Sequence, residues 1–358
     1  MLERLLAALS PDIVPLVISL STLGDVGPRL TSRGFNVIAL GMRRGVPSPM
    51  AVWRLATLLR RFNVDVVHTW MYHADLVGGL AARLAGVRAV MWGIHQSNID
   101  PAMNKRSTLW VMRLCAKAST WLPGRIACVA TRARDVHVAV GYAASRFVII
   151  PNGFDLSEFR TDASARAAVR AELGLPADTP LVGMIGRFDP QKNHHGFFDA
   201  MARLRVSRPG VHALLAGTGV DADNGALNRW MDEAGVRDAC HLLGRRNDVP
   251  RLMAALDVLL LPSLGEAFPN VVGEAMACGV PCVVTDVGDA AYMVGSLGRV
   301  VASGDMAGLA AAAANLLTLP ASKREELARH LQADVCRRFD IRVVAGRYEA
   351  EYRALAAA

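Results

Sequence analysis

Clustered cysteine is the first thing this sequence lacks. Its 358 residues hold six cysteines (Cys115, Cys128, Cys240, Cys278, Cys282 and Cys336), none in a C-x-x-C pair and none with histidines gathered around it. Such spacing argues against a zinc site and a disulfide framework, and predicts buried, reduced thiols of a cytosolic protein. Long apolar runs are missing too. The longest uncharged stretch, 306–322, is alanine-rich and contains Asn315 and Pro320, so it reads as a packed helix and not as a membrane span. Glu3 and Arg4 follow Met1 where a signal peptide would place an apolar core, so none is expected. No short-period repeat is visible.

What is present is globular: 52% of residues are hydrophobic and 20% charged. A chain of 358 residues exceeds the ~250–300 at which single cores stop growing, which predicts two domains. Charge is uneven along the chain. Residues 1–150 hold eighteen Lys+Arg against seven Asp+Glu, a net of +11; the remainder holds twenty-two against twenty-five, a net of −3, giving the overall +8. A basic front half suits an anionic partner: a nucleic acid, a membrane face or a diphosphate lipid. An arginine preference inherited from GC-rich coding is the plain alternative.

Strand-like runs alternate with helix-period segments, the pattern of parallel sheets with crossover helices. In the front half "IVPLVISL", "FNVIAL", "VDVVHTW" and "RAVMWGI" read as buried strands, with "MAVWRLATLLRRF" and "LVGGLAARLAG" as helices between them. Ser48-Pro49 supplies a cap and first turn for the former. "FVIIPNGFD" ends the region in a Pro-Asn-Gly turn. A second series runs through "PLVGMIGR", "VHALLAGTG", "CHLLGR", "DVLLLPS" and "CVVTD", and a helical segment with aromatics closes the chain from about Arg337 to Ala358. Two doubly wound halves would gather ligands outside the carboxyl ends of their strands, in a cleft between them.

The least ordinary stretch is "SLGEAFPNVVGEAMACGVPCVVT", Ser263 to Thr285. Gly265 to Pro269 is a loop at a strand end. The helix should start near Asn270, capped by that side chain, and stop at Cys278 before Gly279. Glu266 then sits in the loop and Glu274 one turn inside the helix. A helix start beside a strand end suits an anion or hydroxyl oxygens, and the two glutamates can accept hydrogen bonds from separate parts of a polyhydroxyl ligand. A capping box with an exposed carboxylate is the plain alternative. The Phe268-Pro269 pair, expected to be exposed, has no evident folding purpose and tips the reading towards function. In "GMIGRFDPQKNHHGFFDA", Arg187 and Lys192 follow a strand ending at Gly186, beside another helix start; two ordinary surface cations are the alternative to a diphosphate site.

Two decoys arise. "GTGVDA" fits a dinucleotide fingerprint but lacks the acidic residue at the end of the next strand. Asp221 and Asp223 read as turn chemistry without a third metal ligand. His95, directly after a strand, would face the cleft; lone histidines are more often structural, but this position favours a role. His68 and His73 rank below it.

Together these residues resemble the retaining glycosyltransferases of family 4, the "group 1" family with the GT-B fold: α/β, two Rossmann-like doubly wound domains facing a cleft. The similarity spans nearly the whole chain, centred on Glu266 and Glu274 with seven residues between them and supported by "VIIPNGFD", "GRFDPQKN", "LLGRRNDV" and the "F…YEAEY" tail. It implies an acceptor-side domain over 1–155 with a returning helix 337–358, and a nucleotide-sugar domain over 156–336. It also implies that Glu274 holds ribose hydroxyls and that Glu266 meets the donor sugar near the reacting carbon. Backbone of Phe268, Asn270 and Val271 would lie nearby. Arg187 and Lys192, with Gly186, would bind the diphosphate and stabilise its departure; Arg245 would lie near the base and His95 near sugar and acceptor. No metal or cofactor is implied. Relatives usually begin with a further strand and a Gly-Gly turn, whereas this chain opens at "MLERLLAALSPD". The first strand of the N-terminal domain is therefore expected to be missing. Asp289 and Tyr292 also stand where relatives often carry glycine and glutamate.

The expected protein is a cytoplasmic, peripheral membrane enzyme. It would transfer a hexose or N-acetylhexosamine, from UDP, to a lipid-linked glycan in exopolysaccharide or lipopolysaccharide biosynthesis, contacting anionic membrane through its basic front half and binding no nucleic acid. Two rivals remain: a UDP-sugar 2-epimerase, and an inactive nucleotide-sugar-binding protein of the same fold. A glycosidase fits less well, since its carboxyls must flank a scissile bond at ~5–9.5 Å.

Overall fold

The structure, a computed structural model, describes residues 1–42, 49–97, 99 and 104–358. Among them, twelve short strands alternate with helices, and every strand pairing is parallel. The strands are β1 (Leu16–Ser19), β2 (Asn36–Ala39), β3 (Val66–Trp70), β4 (Ala89–Ile94), β5 (Arg125–Cys128), β6 (Phe147–Ile149), β7 (Leu181–Ile185), β8 (His212–Ala216), β9 (Cys240–Leu242), β10 (Val258–Leu261), β11 (Cys282–Thr285) and β12 (Arg299–Val301). Each apolar run singled out above forms a strand. β5 and β12 were not anticipated: β5 has only four residues and opens on Arg125, and β12 has only three, two of them exposed.

The chain divides into two units, one of Met1–Gly153 with Ile341–Ala358 and the other of Phe154–Asp340. The second unit holds one six-stranded sheet in the order β12-β11-β10-β7-β8-β9. Its first strand, β7, lies between β8 and β10, so the winding reverses at that pair. Because helices cover both faces, β10 and β11 are buried along their whole length. Phe197, Phe198, Met201, Leu215, Leu260 and Leu309 join one core.

In the first unit the strands form two pieces, the pair β1-β2 and the sheet β3-β4-β5-β6. No strand hydrogen bonds join β1 to β3 among the described residues. All of β4 is buried. The last helix, Ile341–Ala356, packs on this unit through Val344, Ala345 and Tyr348, which share a core with Leu5, Met91, Ala127 and Ile150.

Two expectations need correction. The closing helical segment does not run unbroken from Arg337: Asp340 is extended, and Arg337–Phe339 finish the separate helix Ala321–Phe339. All six cysteines are free, but Cys240 is half-buried and Cys336 exposed, because that helix turns Cys336 away from its buried stripe of Leu331, Val335 and Phe339. The capping expectation at Ser48 lies outside the described residues.

Candidate functional site

In the Phe154–Asp340 unit, the loops after β7 and β10 meet at the winding reversal, where open parallel sheets leave a crevice for ligands. Local chemistry fixes the first loop. Asp189 caps the 3-10 turn Pro190–Lys192 through the Gln191 amide, and Asn193, in left-handed backbone (φ 56°), caps the helix His194–Ser207 through the Gly196 amide. The Asn193 side-chain amide also donates to the Pro262 carbonyl at 3.1 Å, tying the two loops together.

This architecture brings Lys192 to Glu266: Nζ lies 2.6 Å from Oε1, with both side chains largely buried. Ser263, fully buried at the end of β10, donates to the same carboxylate oxygen at 2.7 Å. Arg187 stands two-thirds exposed beside them and pairs with Asp189 at 2.9 Å. Burial pushes Asp189 upward, but the Gln191 amide and the Arg187 guanidinium outweigh it and hold this carboxyl below its usual range. His194 is buried, with Nε2 unpartnered among the described residues; burial, helped by Lys192, brings its pKa down to about 4, so it is neutral.

Close backbone approach shapes the rest. A Cβ on Gly217 would stand 2.0 Å from the Gly186 carbonyl oxygen, so the ends of β7 and β8 can come together only with glycine there. Gly288, at φ +57°, presses on the Glu266 carbonyl, where a Cβ would approach to 2.4 Å. Its neighbour Asp289, nearly buried, donates its amide to the Ala267 carbonyl at 2.9 Å, so the loop after β11 clasps the glutamate-bearing loop. Tyr292 stays exposed with the Arg338 guanidinium over its ring, 4.4 Å from the centroid.

The helix Asn270–Ala277 carries Glu274, half-buried, one turn in, and ends at Cys278 before left-handed Gly279. Two sequence expectations fail here. Pro269, not Asn270, occupies the cap, and exposed Asn270 and half-buried Val271 open the helix. Phe268 is not exposed at all: it is 6% accessible, stacked on Phe154 and edge-on to Phe339. The Phe-Pro pair thus has a folding purpose, pinning the loop to the core so that the amides of the first helical turn are presented. Arg245 is exposed after β9, whereas its neighbour Arg246 belongs to a network with Asp248, Arg251 and Glu172.

In the other unit, His95 follows β4 and stacks on Trp70 with centroids 4.3 Å apart and planes 4° from parallel. His68 on β3 meets the Tyr352 hydroxyl through Nδ1 at 2.8 Å. A Cβ at Gly93 would lie 3.2 Å from His68 Nε2 and 3.4 Å from His95 Nε2, so glycine leaves a small polar space between two ring nitrogens. Neither nitrogen has a hydrogen-bond partner among the described residues. Burial brings the pKa of His68 to about 3 and that of His95 to about 4. Behind them, fully buried Asp75 accepts the Thr69 hydroxyl at 2.6 Å, and burial raises its pKa to about 7. Sequence reasoning ranked His68 below His95, beside which the structure places it, and gave no role to Tyr352, Asp75, Ser263 or His194; the alternation that turns His68 and Trp70 to one face of β3 was the available signal for the first.

Two family models match the chain: "Glycosyltransferase Family 4" over residues 16–158 and "Glycosyl transferases group 1" over residues 179–319. The chain belongs to this glycosyltransferase family, and its fold is GT-B. The Escherichia coli UDP-Gal:alpha-D-GlcNAc-diphosphoundecaprenol alpha-1,3-galactosyltransferase is 30% identical over 239 residues, 65% of this chain and 60% of that protein. Bacillus subtilis EpsF, a putative glycosyltransferase by name, is 30% identical over 220 residues, 60% of this chain and 56% of its own. The match thus spans less than two thirds of these relatives' lengths. Among solved structures, Anabaena HepE in complex with UDP and glucose superposes with a TM-score of 0.83 at 23% identity, covering 99% of this chain and 95% of that one. No helix among the described residues is long and apolar enough to cross a membrane.

Proposed function

We propose that the chain is a retaining, metal-independent glycosyltransferase that moves a hexose or N-acetylhexosamine from a UDP-sugar to a lipid-linked glycan. The observation that carries this reading is the Lys192–Glu266 pair at the winding reversal, with Arg187 beside it. On donor binding, Lys192 and Arg187 would turn to the diphosphate. Glu266, held by Ser263, would then accept hydrogen bonds from the sugar, while Glu274 holds ribose hydroxyls and Gly186 and the amides of Phe268, Asn270 and Val271 line the phosphates and sugar. Arg245 would border the base.

The bond between sugar C1 and the β-phosphate oxygen breaks as positive charge builds on the ring. The two cations stabilise the departing diphosphate, which is the main electrostatic demand of the step. The acceptor oxygen bonds to C1 from the same face and its proton passes to the leaving phosphate oxygen, so no protein nucleophile is needed. Neutral His95 and His68 would accept or donate hydrogen bonds to acceptor and sugar hydroxyls. A lipid-linked acceptor follows the undecaprenol-linked substrate of the E. coli relative and agrees with the net +11 of residues 1–150. Exopolysaccharide or lipopolysaccharide assembly at the cytoplasmic membrane face is the corresponding setting.

The test pairs UDP-glucose, UDP-galactose and UDP-GlcNAc with polyprenyl-diphosphate-linked GlcNAc, with and without EDTA. The expected result is UDP release and an α-linked product, unaffected by EDTA. Conversion of UDP-GlcNAc to its 2-epimer without acceptor, or no donor consumption, would overturn the proposal.

A further inference from the structure

Beside Glu266 lies one buried hydroxyl that the proposed chemistry leaves without a task. Thr285 ends β11, one residue past the last rung of its ladder with β10, Leu261 to Val284. Its side chain continues where the ladder stops. The hydroxyl is fully buried and donates to the Ser263 carbonyl at 2.6 Å, with the Leu261 carbonyl also in reach at 3.2 Å. Ser263, equally buried, donates its own hydroxyl to Glu266 Oε1. A chain of hydrogen bonds thus runs from β11 to the carboxylate that Lys192 meets.

The turn that carries Ser263 is tied on both flanks of β10, which lies between β11 and β7. From the loop after β7, the Asn193 side-chain amide donates to the Pro262 carbonyl at 3.1 Å, and the Gln191 carbonyl accepts the Leu264 amide at 2.7 Å. Gln191 and Asn193 border Lys192 in sequence, so they ride on the segment that rearranges if Lys192 turns from Glu266 to a diphosphate. Thr285 stands on the other flank and need not move with it. Once the ammonium has turned away, Glu266, its side chain only 10% exposed, depends on the donors that remain to hold its charge. The Ser263 hydroxyl is one of them, and Thr285 keeps Ser263 in place to donate. Valine at position 285 would nearly keep the shape but leave the buried Ser263 carbonyl without this donor, so the turn would shift to find another.

We propose that Thr285 is a positioning residue for Glu266, acting through Ser263, and that it holds the carboxylate towards the sugar after Lys192 has turned to the diphosphate. This role rests on the reading of Glu266 as the group that meets the donor sugar. The kinetic test uses whichever of UDP-glucose, UDP-galactose or UDP-GlcNAc the wild type consumes. Thr285→Val should lower kcat about 10–10²-fold with the donor KM within about twofold, as for a misplaced group acting on the transition state. Thr285→Ser, which restores the hydroxyl, should return to within about threefold of wild type. Ser263→Ala should lose as much as Thr285→Val, and the double variant no more than about twofold beyond either, because all three break one hydrogen-bond chain. Thr285→Cys replaces the valine variant, under the same criteria, if that one does not fold. Wild-type kinetics in Thr285→Val would overturn the proposal. So would a loss that serine does not restore, a loss carried by the donor KM alone, or losses that multiply in the double variant.

A crystal structure of ligand-free Thr285→Val separates this role from the activity itself. The contact between Ser263 Oγ and Glu266 Oε1 should open beyond about 3.5 Å. Opening of that contact in a protein whose wild type consumes no donor would end the proposed function and leave the positioning role intact. A contact still at 2.7 Å would overturn the role whatever the turnover.

Discussion

Both units are built of parallel strands with crossover helices, and they differ in what they place at their strand ends. In the Phe154–Asp340 unit the sheet runs unbroken through β7, and the adjoining loops carry formal charges: Lys192 and Glu266 in contact, Arg187 with Asp189. In the other unit the strands form two separate pieces, and polar groups on β3 and just after β4 are imidazoles that burial keeps neutral. A charged pair needs a scaffold that satisfies it on every side, since an unpaired buried charge costs several kcal/mol. Ser263, Asn193, Gly288 and Asp289 provide that support only because β7 and β10 are paired neighbours. Neutral rings demand less and can stand on the interrupted sheet. One unit is thus suited to gripping an anion, the other to meeting hydroxyl groups.

The sharpest way to break this contrast is to loosen the scaffold. Phe268→Ala should cost about 3–5 kcal/mol of unfolding free energy in urea, because it empties a site packed by Phe154 and Phe339. A cost near zero would return Phe268 to the exposed role its sequence suggested. Next in size, Glu266→Gln should lower kcat by about 10²–10³ while changing donor affinity little, as expected for a group acting on the transition state. Unchanged kcat would remove it from the reacting end. Gly288→Ala, forced into left-handed backbone and towards the Glu266 carbonyl, should destabilise by about 1–3 kcal/mol and depress turnover with it; loss of stability alone would make that clasp purely structural.

The smallest effect concerns pH. His68, His95 and His194 are neutral in the fold, with pKa values of about 3, 4 and 4. The unfolded chain therefore binds their protons first, and stability falls as pH drops from about 6.5 towards 4. Asp75 has the opposite sign: the fold keeps its proton up to about 7, so its contribution grows as pH falls from 7 towards 4. Asp75→Asn should leave the chain about 1–2 kcal/mol more acid-sensitive between pH 7 and pH 5. Equal pH slopes in urea titrations would mean Asp75 is ionised.

Much of this was legible because apolar runs of four to six residues can hardly be anything but buried strands, and because glycines and caps punctuate the helices after them. Glu266, Glu274, Arg187 and Lys192 could be placed on loop, helix and strand end for the same reason. Long-range packing was not legible. Nothing near Phe268 in sequence announces Phe154 or Phe339, and nothing near His68 announces Tyr352, 284 positions away. The exposed cap at Asn270 failed because Pro269 pre-empts that position with its fixed φ. β12 was missed because three partly exposed residues carry no pattern.

The most direct test is a calorimetric titration of the chain with UDP, alongside Glu274→Ala and Lys192→Ala. Saturable binding that weakens at least about tenfold in each variant is the predicted result, in line with loss of a charged hydrogen bond worth ~1.5–3 kcal/mol. Binding of NAD but not UDP, or UDP binding indifferent to both substitutions, would contradict it.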